Sequence, residues 1–247
     1  MKNSIETTET VQSKDKWIDK IDQIKALTLM LEDQSKAIEI IRENLEVINK
    51  IINKVYMHLN STSSGRLIYV GAGTSGRIAV QDAIELYPTF SWPKSRIAFV
   101  VAGGIKALYN TVENAEDDLN DAVFQSNNID INDKDVVIGL SASSNTPFTL
   151  EVLKLANEKN ALTVGIGNNF GIIRDVAKES IIIPTGSEIV AGSTRLKAGT
   201  AQKITLNIIS TMIMVKFGRV KNGMMVAMVA SNKKLKKRQI LIDELLN

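Results

Sequence analysis

The chain has 247 residues, 44% of them apolar and 23% charged, with a net charge of +3. That suits one soluble α/β domain with helical additions and a sizeable core. The absence of cysteine removes thiol catalysis, disulfides and Cys-ligated zinc, and fits a reducing cytoplasm. The single histidine, His58, lies in a helical pattern beside Met57 and Leu59. A Ser-His-Asp triad therefore lacks a base, and acid–base work falls to carboxylates, Lys or Tyr.

The opening residues, MKNSIETTET, lack an apolar signal core, and residues 1–17 are polar and expected to be loose. A short helix over 21–30 is followed by a longer one from Ser35. In it Ile41, Leu45, Ile48, Ile52, Val55 and Leu59 follow 4-3-4-3-4 spacing, an apolar stripe that packs on the domain or on a second subunit. Residues 18–64 thus form an N-terminal helical arm, ended by the Ser-rich run 60–65. From 65 to 220, strand-like runs at 67–70, 96–101, 136–140, 162–166 and 180–183 alternate with helices. The pattern predicts an α/β fold, a five-stranded parallel sheet sandwiched by helices. The apolar run 204–215 is interrupted by polar residues and too short for a bilayer, so no membrane span is expected. Residues 221–247 make a C-terminal segment with a basic helix. Its Lys233, Lys234, Lys236, Lys237 and Arg238 lack interleaved aromatics and read as a solvated face, not a nucleic-acid surface.

Ligands of such sheets gather at the loops that follow the strands. The first loop, Gly71-Ala72-Gly73-Thr74-Ser75-Gly76, matches G-x-G-x-x-G. A dinucleotide site, however, needs a carboxylate at the tip of the second strand, where this chain has Ala102-Gly103-Gly104. Thr74 and Ser75 favour a sugar phosphate instead, with a purely structural turn as the bland alternative. The second loop, Ser141-Ala142-Ser143-Ser144-Asn145-Thr146-Pro147, crowds hydroxyls at a helix N-terminus, Thr146 at the N-cap and Pro147 in the first turn. A cap needs one hydroxyl, so a phosphate site is the stronger reading. The third loop, over 186–197, carries Glu188, Ser193, Thr194, Arg195 and Lys197 and opens a long helix that Ser193 or Thr194 would cap.

Two carboxylates stand out. Glu85 falls near the end of the first sheet helix, among Ala83, Ile84, Leu86 and Tyr87, where its protonated form is favoured. Glu116 follows Asn114, an expected N-cap, where the anion is favoured. Carboxyls biased in opposite directions are the pattern of an acid and a base. A surface Glu and a capping-turn Glu explain the same spacing.

The runs GAGTSGR (71–77), YPTF (87–90), VENAEDD (112–118) and GSTRLKAGTAQK (192–203) closely resemble the N-acetylmuramic acid 6-phosphate etherases. These belong to the sugar isomerase domain superfamily, with a five-stranded, flavodoxin-like sheet. The resemblance spans roughly 18–235. It implies a phosphate loop at Ser143, Ser144 and Thr146, an acid at Glu85, and a base at Glu116, not Glu113. Gly73, Thr74, Ser75, Ser141, Glu188, Ser193, Thr194 and Lys197 complete the expected substrate contacts. The implied reaction opens the sugar, removes the C2 proton, expels the lactyl ether from C3 and adds water. Neither a metal nor a redox cofactor is implied.

Several features depart from the family pattern. Against that pattern the chain is expected to lack the small helical C-terminal domain, the Asn-Pro segment of the N-terminal arm is not found, Ser144-Asn145 replaces a common Gly-Arg pair, and Ala227 stands where Asp is usual. The rival readings are a sugar-phosphate-binding regulator, as in the related glucokinase regulatory protein, and an aldose–ketose isomerase. Glu85 lies nine residues beyond Gly76, about 14 Å along a helix. That is too far to reach a sugar held at the loop, so a homodimer that shares its active sites is expected, with an early helix end or a bend before Tyr87-Pro88 as the competing explanation.

Overall fold

The computed structural model describes residues 7–230 and 233–246. Five parallel strands, β1 (Leu67–Gly71), β2 (Ile97–Val101), β3 (Val136–Ser141), β4 (Leu162–Gly167) and β5 (Glu179–Ile182), form one sheet in the order β2-β1-β3-β4-β5. This is the flavodoxin-like winding. The central strands are apolar on both sides because both faces are covered. Leu67, Tyr69, Val136, Ile138 and Leu140 point to one layer, while Ile68, Val70 and Val137 point to the other.

The first layer holds α1 (Gln23–Glu43), α2 (Leu45–Asn60), α3 (Gly73–Phe90) and α7 (Lys197–Lys216). The second holds α4 (Leu119–Asn128), α5 (Pro147–Glu158) and the short α6 (Ile173–Val176). A final helix, α8 (Lys233–Leu246), carries the basic run. Among the described residues no helix is long and apolar enough to cross a membrane.

The N-terminal helices differ from expectation. α1 runs unbroken from its Asp22 cap, whose carboxylate accepts the Lys25 N–H at 3.0 Å, because nothing between 30 and 35 stops it. The interruption falls at Asn44, whose side-chain amide donates to the Ile40 carbonyl at 2.9 Å and so competes with the helix. Leu45 follows that break and faces solvent, 47% exposed. The rest of the stripe is buried in this chain's own core, not left for a second subunit.

A further correction concerns the chain's start. Residues 1–6 lie outside the described residues. Residues 7–17, expected to be loose, are laid across the sheet's loops instead. The Thr7 N–H and hydroxyl both donate to Asn169 Oδ1, at 3.0 and 2.6 Å, and the Gln12 side chain donates to Ser187 Oγ at 2.8 Å. Local composition missed this because the anchors lie more than a hundred residues away.

The start of α7 is held by buried charge. Neither Ser193 nor Thr194 caps it. Glu188 does, its two carboxylate oxygens accepting the Lys197 and Ala198 N–H groups at 3.0 and 2.8 Å. Burial pushes the Glu188 carboxyl up from its ordinary range, while the two N–H groups pull it back. The Lys197 ammonium meets Asp33 Oδ1 of α1 at 2.7 Å and the Ser187 carbonyl at 2.8 Å, and both charged side chains are under 5% exposed. Removing one member leaves the other charge buried and alone. Asp33→Ala should therefore cost about 3–5 kcal/mol in denaturant unfolding, and Asp33→Ala with Lys197→Met should recover much of it. Equal stability of Asp33→Ala and the unaltered chain would show that the pair contributes nothing.

Candidate functional site

A cavity of about 470 Å³ opens where the β1 and β3 loops end. It is lined by Gly73, Thr74 and Ser75 from the first loop, Ser143, Asn145, Thr146 and Pro147 from the second, Gly192 and Thr194 from the third, and the acidic Glu9, Glu116 and Asp117. Its size is that of a small-ligand site.

The first loop is built by close approach. A Cβ on Gly76 would stand 2.7 Å from the Gly71 carbonyl oxygen, so strand and helix can pack this tightly only with glycine there. Gly73, at φ +53°, begins α3 in a left-handed conformation that glycine tolerates without strain.

In the second loop Thr146 is the N-cap residue of α5 and Pro147 its first position, but the Thr146 hydroxyl makes no cap bond. It shares a 2.8 Å hydrogen bond with Ser141 Oγ, and Ser143 Oγ lies 3.2 Å from the same Ser141 oxygen. Ser141 is buried and acts as the hub, which leaves Ser143 and Thr146 facing the cavity. Ser144, at φ +65°, turns the opposite way. It is fully buried and donates to the Asn169 carbonyl at 2.6 Å, which anchors the loop and takes it out of the expected phosphate contact. The cavity thus combines hydroxyls with the N-terminus of a 12-residue helix, a setting made for an anion.

The carboxylates fall differently from the sequence reading. Asn114 holds the N-cap position of the three-residue 3-10 turn Ala115–Asp117, left-handed at φ 57° and without a side-chain cap bond, and Glu116 sits in that turn. α4 starts later with Asp118 as its cap, accepting the Asp121 N–H at 2.9 Å, so a helix-dipole argument does not apply to Glu116. Glu116 lines the cavity and an adjoining one of about 350 Å³.

Glu85 is not there. α3 continues through Pro88 to Phe90, its Ala83 and Leu86 turn to the core, and Glu85 is exposed, not buried among them. It lines a separate cavity of about 170 Å³ with Ile78, Gln81, Asp82, Lys203 and Asn207. Asp82, missed in the sequence, is buried there. Asn207 and Ser210 donate to its Oδ1 at 2.6 and 3.1 Å, and burial pushes its carboxyl up from the usual range.

Of the expected contacts, Gly73, Thr74, Ser75, Ser143, Thr146 and Thr194 come together around the main cavity with Glu116. Ser141, Ser144, Ser193, Glu188 and Lys197 do not line it; of the last two, both buried, Glu188 caps α7 and Lys197 pairs with Asp33. Glu9 does line it, although polar composition alone gave no reason to single it out. Among the described residues no cluster of three or more His, Cys, Asp or Glu side chains is placed to hold a metal ion.

Residues 49–157 match the family described as glucokinase regulatory protein N-terminal SIS domain. An N-acetylmuramic acid 6-phosphate etherase of Mycoplasma mycoides subsp. mycoides SC is 39% identical over 237 residues, covering 95% of this chain and 78% of its own. The same-named protein of Geobacillus thermodenitrificans is 43% identical over 239 residues, covering 96% of this chain and 80% of its own. Among solved structures, a phosphoheptose isomerase from Francisella tularensis aligns with a TM-score of 0.57 at 13% identity, covering 79% of this chain and 100% of its own. That likeness shows the fold.

Proposed function

The chain belongs to the N-acetylmuramic acid 6-phosphate etherase family, and from that premise we propose how its residues carry the reaction. It is a carbon–oxygen lyase acting on an amino-sugar phosphate. It cleaves the D-lactyl ether of N-acetylmuramic acid 6-phosphate to give N-acetylglucosamine 6-phosphate and D-lactate. The observation that carries the residue assignment is the joining, in one cavity, of the Ser143 and Thr146 hydroxyls with the Glu116 carboxylate.

The phosphate sits at the start of α5 on Ser143 and Thr146, and the Gly73–Ser75 turn faces the sugar. With the ring open, the C1 carbonyl acidifies C2, and Glu116 takes the C2 proton. The electron pair forms the C2–C3 double bond as the C3–O bond breaks, and Glu85 gives the departing lactyl oxygen its proton. Water then adds its hydroxyl to C3 and a proton returns to C2. A cytoplasmic setting fits this use of a phosphorylated sugar.

The purified protein should release D-lactate from N-acetylmuramic acid 6-phosphate. Glu116→Gln should abolish exchange of the C2 proton with solvent, while Glu85→Gln should slow ether cleavage more than exchange. Near-normal exchange in Glu116→Gln would remove Glu116 as the base.

Glu85 serves the cavity of a second copy. Its own cavity is separate from the phosphate cavity, and Ile84 of α3 and Met212 of α7 are 52% and 42% exposed. A two-fold dimer closed over this α3–α7 face delivers each Glu85 to the opposite subunit. Mixing inactive Glu85→Ala with inactive Ser143→Ala under subunit exchange should restore activity, because one hybrid site then holds both intact residues. Verified hybrids without activity, or a strictly monomeric active enzyme, would overturn the shared site.

A further inference from the structure

We infer that Glu9 is a specificity-determining residue whose carboxylate accepts a hydrogen bond from an N–H or O–H of the bound sugar. This rests on the sugar-phosphate reading of the main cavity.

Glu9 is exposed and lines that cavity from the N-terminal segment, and the backbone that carries it is fixed by its neighbours. Thr8 is fully buried. Its carbonyl accepts the Gly192 N–H at 2.9 Å, and its hydroxyl accepts from Asn169 Nδ2 at 3.1 Å. Asn169 Nδ2 also donates to the Ala142 carbonyl at 2.9 Å, and its Oδ1 accepts from the Thr7 N–H and hydroxyl. One buried amide thus ties the segment to the loop that carries Ser143.

The Gly192 side leaves room for the carboxylate, since a Cβ there would stand 2.6 Å from Glu9 Oε2. The carboxylate itself makes no hydrogen bond or ion pair among the described residues. A polar tail that merely wandered over the surface would not be held by buried hydrogen bonds beside an unpaired acid.

The chemistry of the partner follows. An ionised carboxylate only accepts hydrogen bonds. The phosphate is excluded as its partner by like charge and has its own donors at the start of α5. What remains is a neutral donor, an amide N–H or a hydroxyl of the sugar. Glu9 therefore reads the sugar, and the Ser143–Thr146 loop reads the phosphate.

The two roles separate in a calorimetric titration of the full chain with N-acetylglucosamine 6-phosphate and with inorganic phosphate. Glu9→Ala should weaken the sugar phosphate about tenfold, the worth of one charge-assisted hydrogen bond, and leave inorganic phosphate unchanged or tighter. Glu9→Gln, which keeps an acceptor without the charge, should fall between. Ser143→Ala should weaken both probes. Because the carboxylate makes no hydrogen bond or ion pair among the described residues, Glu9→Ala should fold with nearly the unaltered melting temperature. Unchanged sugar-phosphate binding in Glu9→Ala, or equal losses for both probes, would overturn the inference. Failure of the underlying reading has a different signature, in which the unaltered protein binds neither probe, and that result overturns both.

Discussion

The N-terminus of α7 is where the structure is tied together. Glu188, with no exposed surface, gives both carboxylate oxygens to the first N–H groups of the helix. Lys197, the first helical residue, reaches back to Asp33 in α1 and to the Ser187 carbonyl. Buried charges cost several kcal/mol each to desolvate, on the order of what their mutual attraction returns. Their effect here is geometric. They hold the 186–196 loop in one position, so Gly192 and Thr194 form a cavity wall and the Gly192 N–H can donate to the Thr8 carbonyl. The N-terminal segment, α1, α7 and the third loop are thus positioned together, and the cavity inherits its shape from them.

The sheet order explains why the cavity lies where it does. β1 has β2 on one side and β3 on the other, so the chain leaves the C-terminal ends of β1 and β3 in opposite directions. Such a switch point leaves a crevice that the two loops line without covering. The loops that meet there are the glycine turn after β1 and the Ser-rich turn after β3. The first lets α3 approach closely, and the second presents hydroxyls beside a helix start.

Much of this was legible in the sequence. The strands declare themselves by short β-rich runs between helices, and the hydroxyl-rich loop by an excess over what a cap requires. What the sequence hid depends on distant partners. Thr7 and Thr8 look like a free tail until Asn169, far along the chain, accepts from one and donates to the other. Lys197 and Glu188 look like ligand contacts because a charged side chain in a sheet-end loop usually faces solvent. Only the three-dimensional fit shows that both turn inward, one to cap α7 and the other to pair with α1. Glu85 shows the reverse: Ala83 and Leu86 beside it point to the core, and the helix's own rotation turns it outward together with Ile84.

The cavity's charge pattern bears on the chemistry assigned to it. Among the described residues its lining has three carboxylates, Glu9, Glu116 and Asp117, and neither Lys nor Arg. A cation would be the simplest partner for an anionic phosphate, but a cation in the same cavity would weaken any carboxylate base beside it. Hydroxyls and a helix N-terminus hold an anion through short-range dipoles, whose influence fades within about one turn. On the proposed assignment they hold the phosphate without placing a full positive charge near the proton to be removed. The same restraint explains the division of labour on the sugar. With the phosphate neutralised only by dipoles, further carboxylates in the cavity are tolerated where they face neutral donors. The position of Glu9, on a segment anchored to the opposite loop, satisfies that condition.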